Sequence, residues 1–135
     1  MAVTLLVSCT PAEPTAVRLN DDGSVDFVSC RGVDDVATAT ATTTFRVNGD
    51  GIIDQSTATE VELEPTIDQL VAGESIEFVG LPSEWDRLDI SVESNGAGDS
   101  AYAYAERNKL KIGEWHWMDD GAILPTGSRC DIDAS

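Results

Sequence analysis

The sequence has few basic residues. Only 8 of its 135 residues are lysine or arginine, against 25 aspartates and glutamates, which gives a formal net charge of −17 at pH 7. Because binding to nucleic-acid phosphates needs clustered basic side chains, we predict no nucleic-acid partner. The acidic residues are spread along the chain, which indicates a solvated acidic surface. The alternatives are cation binding, a basic partner or a high-salt habitat.

The residue types of common catalytic sites are also scarce. His116 is the only histidine, and neither Glu114 nor Met118 beside it completes a nucleophile–histidine triad. A zinc site of the usual composition needs more histidine or free cysteine ligands, and no glycine-rich phosphate loop precedes a helix. A catalytic carboxylate pair needs a cleft, which a small domain rarely provides. We therefore predict that the protein is not an enzyme and takes no cofactor.

Long apolar runs are missing as well, so the sequence predicts no membrane-spanning helix. Instead, short stretches of alternating apolar and polar residues are separated by turn sequences such as Asn20-Asp21-Asp22-Gly23. The longest stretch covers 36–47, where threonines occupy one face and alanines the other. A chain of this length forms one domain. The pattern predicts an all-β protein, an antiparallel β-sandwich of about eight strands.

The run Leu70-Val71-Ala72-Gly73-Glu74-Ser75 resembles the inter-strand turn of bacterial immunoglobulin-like extracellular domains. The resemblance implies an immunoglobulin-like β-sandwich. It extends to the architecture alone, because antibody-type domains have a tryptophan shortly after the first cysteine. Here the nearest tryptophan after Cys30 is Trp85.

The start of the chain is apolar and is followed by a stretch that contains Pro11 and Pro14. Its residues Leu6-Val7-Ser8-Cys9 resemble the lipobox of bacterial lipoproteins, in which the bond before the cysteine is cleaved and the cysteine carries the lipid. The resemblance implies that Cys9 is lipidated. A signal peptide has a basic segment and an apolar stretch of about 7–15 residues. Since no basic residue precedes Cys9, we expect the start codon to lie upstream of Met1. The alternative is that residues 2–8 form an apolar first strand of the fold.

The cysteine count is odd, with Cys9, Cys30 and Cys130, and an exported protein with an odd cysteine needs an explanation. Lipidation of Cys9 leaves an even pair. We expect a Cys30–Cys130 disulfide, whose loop of about 100 residues contributes up to about 4.7 kcal/mol in the chain-entropy model. The alternative is two unrelated thiols in a cytosolic protein. We divide the chain into a truncated signal, lipobox and tether (1–15) and a β-sandwich domain (16–135).

Tryptophans are the candidate ligand-binding residues. Trp115 and Trp117 flank His116, and paired tryptophans on a strand stack on sugar rings or anchor protein interfaces. The alternative, which we favour for these two, is a place in the core. Trp85 lies in a Pro-Ser-Glu-Trp-Asp segment, and we expect it to be the more exposed tryptophan.

The segment 47–54 is similar to the calcium loop of EF-hand and dockerin-type sequences. In that register Asn48, Asp50 and Asp54 occupy ligand positions. Arg46 and Thr57 stand where acidic ligands belong, so we predict a hairpin turn without a metal, with a calcium site as the alternative.

Together these features predict a non-enzymatic cell-envelope lipoprotein or secreted binding domain. It is extracytoplasmic and contacts the membrane only through a lipid anchor. Its partner is an envelope protein or polymer, which binds to a sheet face or to loops. The alternatives are a carbohydrate-binding module that uses surface tryptophans and a calcium-stabilised adhesion domain.

Overall fold

The computed structural model describes residues 14–47, 51–96 and 100–118. These residues form eight strands and one short 3₁₀ helix, Arg107–Lys109. The strands are β1 (Thr15–Leu19), β2 (Val25–Ser29), β3 (Val36–Arg46), β4 (Ile53–Glu62), β5 (Ile76–Phe78), β6 (Arg87–Ser94), β7 (Ser100–Glu106) and β8 (Trp115–Met118). Within this part of the chain, no helix is long and apolar enough to cross a membrane.

The strands form two four-stranded antiparallel sheets. The first sheet has the order β5-β2-β1-β8 and the second sheet has the order β4-β3-β6-β7. In an immunoglobulin sandwich, strands A, B and E neighbour one another in one sheet and strands C, F and G in the other. Here β1, β2 and β5 take the first set of positions, and β3, β6 and β7 take the second. The predicted antiparallel immunoglobulin-like β-sandwich of about eight strands is therefore confirmed. The predicted boundary after residue 15 falls just inside β1.

The turn between β1 and β2 forms where the sequence predicts it. Gly23 has a φ of +91°, a conformation that glycine adopts without steric cost. Asp22 Oδ1 accepts hydrogen bonds from the Ser24 amide at 2.9 Å and from the Ser24 hydroxyl at 2.7 Å. These bonds lower the pKa of the Asp22 carboxyl, with the hydroxyl bond as the largest cause. The turn sets the register in which Leu19 pairs with Val25.

The core lies between the two sheets. On the second sheet, Leu88, Ile90 and Val92 of β6 point inward beside the small side chains of β7, which let the sheets approach closely. The first sheet contributes larger side chains from β1, β2 and β5. The buried residues of this core include Val17, Leu19, Val25, Phe27, Phe78, Leu88, Ile90, Val92, Ala101, Ala103 and Ala105.

Strand pairing determines which elements share an end of the sandwich. Thr15 pairs with Ser29 and with Met118, so β1 begins beside the ends of β2 and β8. We call this the basal end. It is closed by the segment 63–75, whose Gly73 amide donates to Ser29 O at 2.9 Å and whose Leu70 bridges Val33. The opposite, apical end holds the β1–β2 turn and the segments 79–86 and 107–114.

Candidate functional site

The outer face of the first sheet is covered. Along β1, Val17 and Leu19 point into the core, so Ala16 and Arg18 point outward. Ala16 nevertheless has 0% of its surface exposed, as does Val28, its cross-strand partner on β2. Neither belongs to the core between the sheets. We call the surface around Ala16, Arg18, Asp26 and Val28 the covered face.

An ion pair and a tryptophan occupy the centre of the covered face. Arg18 donates to Asp26 Oδ2 from Nε at 2.9 Å and from Nη2 at 2.7 Å. Its guanidinium carbon lies 4.5 Å from the centroid of the Trp115 ring. The Asp26 side chain is only 10% exposed. Trp115 therefore stacks within the chain on a cation, an arrangement that is favourable when the cation is partly desolvated.

The structure corrects the expectation for Trp85, which is only 3% exposed and belongs to the core. The segment 79–86 folds over the apical end, where the Asp86 amide donates to Thr44 O at 2.9 Å. The Arg107 guanidinium lies 5.2 Å from the Trp85 ring centroid, and the Arg107 amide donates to Asp86 O at 2.9 Å. Trp85 is therefore enclosed and cannot serve as an exposed ligand-binding residue.

Trp115 and Trp117 lie on the outer side of β8 and are half-buried. They pair with Arg18 and Ala16 of β1, so both belong to the covered face. The favoured placement of this pair in the core between the sheets is wrong, because Met118, on the opposite side of β8, is the residue that packs against the core. The choice between two faces of a short strand depends on pairing with β1, which the sequence does not encode locally.

The predicted cysteine sites are only partly described. Cys30 follows β2 at the basal end, where its amide donates to Pro14 O at 3.0 Å. It is the only cysteine among the described residues. Cys9 and Cys130 lie outside those residues, so lipidation of Cys9 and the Cys30–Cys130 pairing stay predictions.

The predicted calcium loop is also partly described. Asp54 Oδ1 accepts hydrogen bonds from the Ser56 amide at 3.1 Å and from the Ser56 hydroxyl at 2.6 Å. This carboxylate therefore stabilises a local turn within β4. Asn48 and Asp50 lie outside the described residues, so the calcium alternative stays untested.

The outer face of the second sheet is open. Cross-strand pairs align its outward residues in rows, such as Glu62, Thr40, Ser91 and Tyr102. All of these side chains are exposed or partly exposed. We call this surface the open face; its outward residues are Thr38, Thr40, Thr42, Glu60, Glu62, Arg87, Asp89, Ser91, Glu93, Ser100, Tyr102, Tyr104 and Glu106.

Four residues form a connected cluster on the open face, which we call the tyrosine patch: Arg87, Asp89, Tyr102 and Tyr104. The Tyr102 hydroxyl donates to Asp89 Oδ1 at 2.6 Å. Arg87 donates to the same carboxylate from Nε at 3.1 Å and from Nη2 at 3.0 Å. The Arg87 guanidinium carbon lies 4.5 Å from the Tyr104 ring centroid. The two tyrosine rings are 6.2 Å apart and tilted by 38°.

These contacts also fix the protonation of the patch. Burial and the hydrogen bond to Asp89 raise the pKa of Tyr102, with burial as the larger cause. The hydrogen bonds to Asp89 raise the pKa of Arg87 above its ordinary value. At neutral pH Tyr102 is therefore a neutral phenol and Arg87 a guanidinium cation.

Two depressions among the described residues are small. One of about 270 Å³ lies at the basal end beside Val36, Leu63 and Ile67. Another of about 260 Å³ lies at the apical end beside Phe45, Trp85 and Arg107. Pockets for drug-sized ligands typically measure about 300–1,000 Å³. The open face is therefore the better candidate for binding an extended partner.

The sequence pattern indicates the two tyrosines of the tyrosine patch, although we predicted tryptophans as the ligand-binding residues. Tyr102 and Tyr104 alternate with Ala101, Ala103 and Ala105, and small buried side chains on one face imply that the tyrosines point outward. The contributions of Arg87 and Asp89 require the β6–β7 register.

The chain matches no protein-family model, no curated protein and no solved structure.

Proposed function

We propose that the protein is a non-enzymatic binding domain of the cell envelope, displayed outside the cytoplasm, and that its open face contacts an envelope protein or polymer. The difference between the two outer faces supports this proposal. The covered face buries Ala16, Val28 and most of Asp26, whereas the outward residues of the open face are exposed or partly exposed, apart from Thr44 near its apical edge. A preformed flat surface on rigid strands suits recognition of an extended partner.

The basal end is compatible with a lipid anchor on Cys9. Pro14 lies at this end, five positions after Cys9. Such a segment spans at most about 17 Å when extended. A lipid on Cys9 would therefore hold the basal end toward the membrane and direct the apical loops away from it. A second signal strengthens such anchoring, since one acyl chain alone gives reversible attachment.

The same geometry supports a Cys30–Cys130 bridge. The chain leaves β8 at Met118, which is two strands away from Cys30 along the first sheet, or about 10 Å. Cys130 is twelve positions after Met118, a distance along the chain that spans about 40 Å when extended. Cys130 can therefore reach Cys30. Cys9 is within reach as well, so lipidation decides between the two partners.

One experiment tests the compartment and the pairing together. The protein is expressed with a complete signal peptide, labelled with a fatty-acid analogue and digested without reduction for mass spectrometry. We expect lipid on Cys9, a Cys30–Cys130 bridge and a loss of roughly 2–5 kcal/mol of stability upon reduction. The Cys9→Ser variant should lose the label and keep the bridge. A Cys9–Cys30 bridge in the mature protein would contradict the lipoprotein assignment.

Binding is tested separately with purified protein and isolated cell envelopes. Ser91→Arg places a long charged side chain at the centre of the open face, and we expect it to abolish co-sedimentation with the envelopes. Ser83→Arg adds the same side chain to an exposed apical segment and should leave binding unchanged. Equal binding of both variants would show that the open face is not the contact surface.

A further inference from the structure

The tyrosine patch presents an aromatic ring in a fixed orientation. The Tyr102 side chain remains 44% exposed, although its hydroxyl is anchored on Asp89 at 2.6 Å. An anchored ring loses little conformational entropy when a ligand covers it. Because the ring is apolar on its face and polar at its tip, it suits a ligand that combines C–H groups with hydroxyls.

Hydrogen-bonding capacity surrounds this ring. Arg87 uses Nε and Nη2 toward Asp89 and Tyr102, and Nη1 makes no hydrogen bond within the described part of the chain. Asp89 Oδ2 accepts one hydrogen bond, from Arg87 Nε, and retains a lone pair. The hydroxyls of Thr40 and Ser91 continue along the adjacent row of the open face. Donors and acceptors thus lie beside the exposed ring.

The charges within the tyrosine patch cancel, and Glu60, Glu62 and Glu93 lie elsewhere on the open face. Arg87 pairs with Asp89, and Arg46 pairs with Glu106 across the apical end of the same sheet at 2.6 Å. The molecule as a whole carries a net charge of −17, so the patch is a locally neutral region on an acidic protein. An anionic ligand is repelled by the whole-molecule field, and a cationic ligand meets Arg87 at the centre of the patch. The arrangement therefore favours an uncharged polar ligand.

From this geometry we propose that the tyrosine patch binds neutral saccharide chains. One sugar ring stacks on Tyr102, its hydroxyls accept from Arg87 Nη1 and donate to Asp89 Oδ2, and further rings follow the Thr40–Ser91 row. The surface is an open sheet, which suits a chain of sugar rings rather than a single monosaccharide enclosed in a pocket. This inference rests on the proposed function and assigns its ligand class. In this proposal the carbohydrate-binding residues are those of the tyrosine patch on the second sheet, and not the tryptophans that the sequence suggested.

The test uses the full chain in equilibrium binding with neutral oligosaccharides built from hexoses and N-acetylhexosamines, with uronic-acid oligosaccharides as the charged arm. We expect binding in the neutral arm alone. Tyr102→Ala should weaken it about tenfold or more, because the stacking surface is lost. Tyr102→Phe keeps the ring and should retain most of the affinity. Thermal melting of each variant separates loss of binding from loss of fold.

The outcomes distinguish this inference from the proposed function. If no neutral saccharide binds, but Tyr102→Ala abolishes binding to whole envelopes, the partner is a protein and the saccharide assignment is wrong while the proposed function stands. Binding confined to uronic-acid oligosaccharides would overturn the charge argument. If Trp115→Ala abolishes saccharide binding and Tyr102→Ala does not, the site belongs to the covered face. Failure to bind envelopes and saccharides alike overturns both proposals.

Discussion

The centre of the first sheet places Ala16 and Val28 outward with no exposed surface, whereas the centre of the second sheet places Thr40 and Ser91 outward with partial exposure. Both sheets bury their inner faces in one core. They differ in the outward side chains that alternate with the core residues. On β1 and β2 these are apolar side chains and a shielded ion pair, whereas on β3 and β6 they are short polar side chains. Outward apolar side chains at the centre of a sheet thus accompany the covered face, and short polar side chains at the same place accompany the open face.

The largest expected difference between the two faces is the stability lost when one partner of an ion pair is removed. The pairs compared are Arg18–Asp26 on the covered face and Arg87–Asp89 on the open face. Asp26→Ala removes both hydrogen bonds that Arg18 donates to it. Removing one partner of a buried pair leaves the other charge uncompensated, and we expect the free energy of unfolding to fall by about 3 kcal/mol. The Arg87 and Asp89 side chains are about three times as exposed as Asp26, at 29% and 30% against 10%, so Asp89→Ala should cost about 1 kcal/mol or less. Urea unfolding of both variants measures the difference, and equal losses would show that the faces are solvated alike.

A pair of isosteric exchanges tests the faces with smaller changes. Val28→Thr introduces a hydroxyl at a position with 0% exposure, and we expect a loss of about 1–3 kcal/mol. Thr40→Val makes the reverse change at a partly exposed position at the centre of the open face. There we expect the free energy of unfolding to change by no more than about 0.5 kcal/mol. Calorimetric melting compares the two. A neutral Val28→Thr would mean that this hydroxyl finds a partner and that the covered face is not apolar in character.

The smallest expected effect is the titration of Tyr102. Its pKa is raised, so the hydroxyl contributes stability below its ordinary pKa of about 10 and that contribution disappears as pH rises through the folded-state pKa. Tyrosinate absorbance should show Tyr102 ionising above its ordinary range. Tyr102→Phe should remove that late titration. Asp89→Asn should shift it downward, since it removes the second-largest cause while burial remains.

Sequence patterns predicted the fold because alternation and turn chemistry are local. The β1–β2 turn needs only Asp22, Gly23 and Ser24, which are adjacent. Trp85 was misplaced because a loop with no periodicity gives no local sign that it folds over the core. The tyrosine patch lay outside prediction for a different reason. Its β6 residues, Arg87 and Asp89, are 13–17 positions away from its β7 residues, Tyr102 and Tyr104, and only the register of β6 against β7 brings the two pairs together.

The position of β1 beside β8 has a mechanical consequence. Their four pairs run antiparallel from Thr15–Met118 to Arg18–Trp115, so residues 14 and 118 leave the sandwich side by side. A force that separates these two points pulls across the strands, along the direction of the inter-strand hydrogen bonds. It therefore breaks the pairs one after another, as a zipper opens, rather than loading all of them at once in shear. Tension applied at these two points should open this edge of the first sheet at low load, while the β3–β6 and β6–β7 pairs of the second sheet lie outside the line of force.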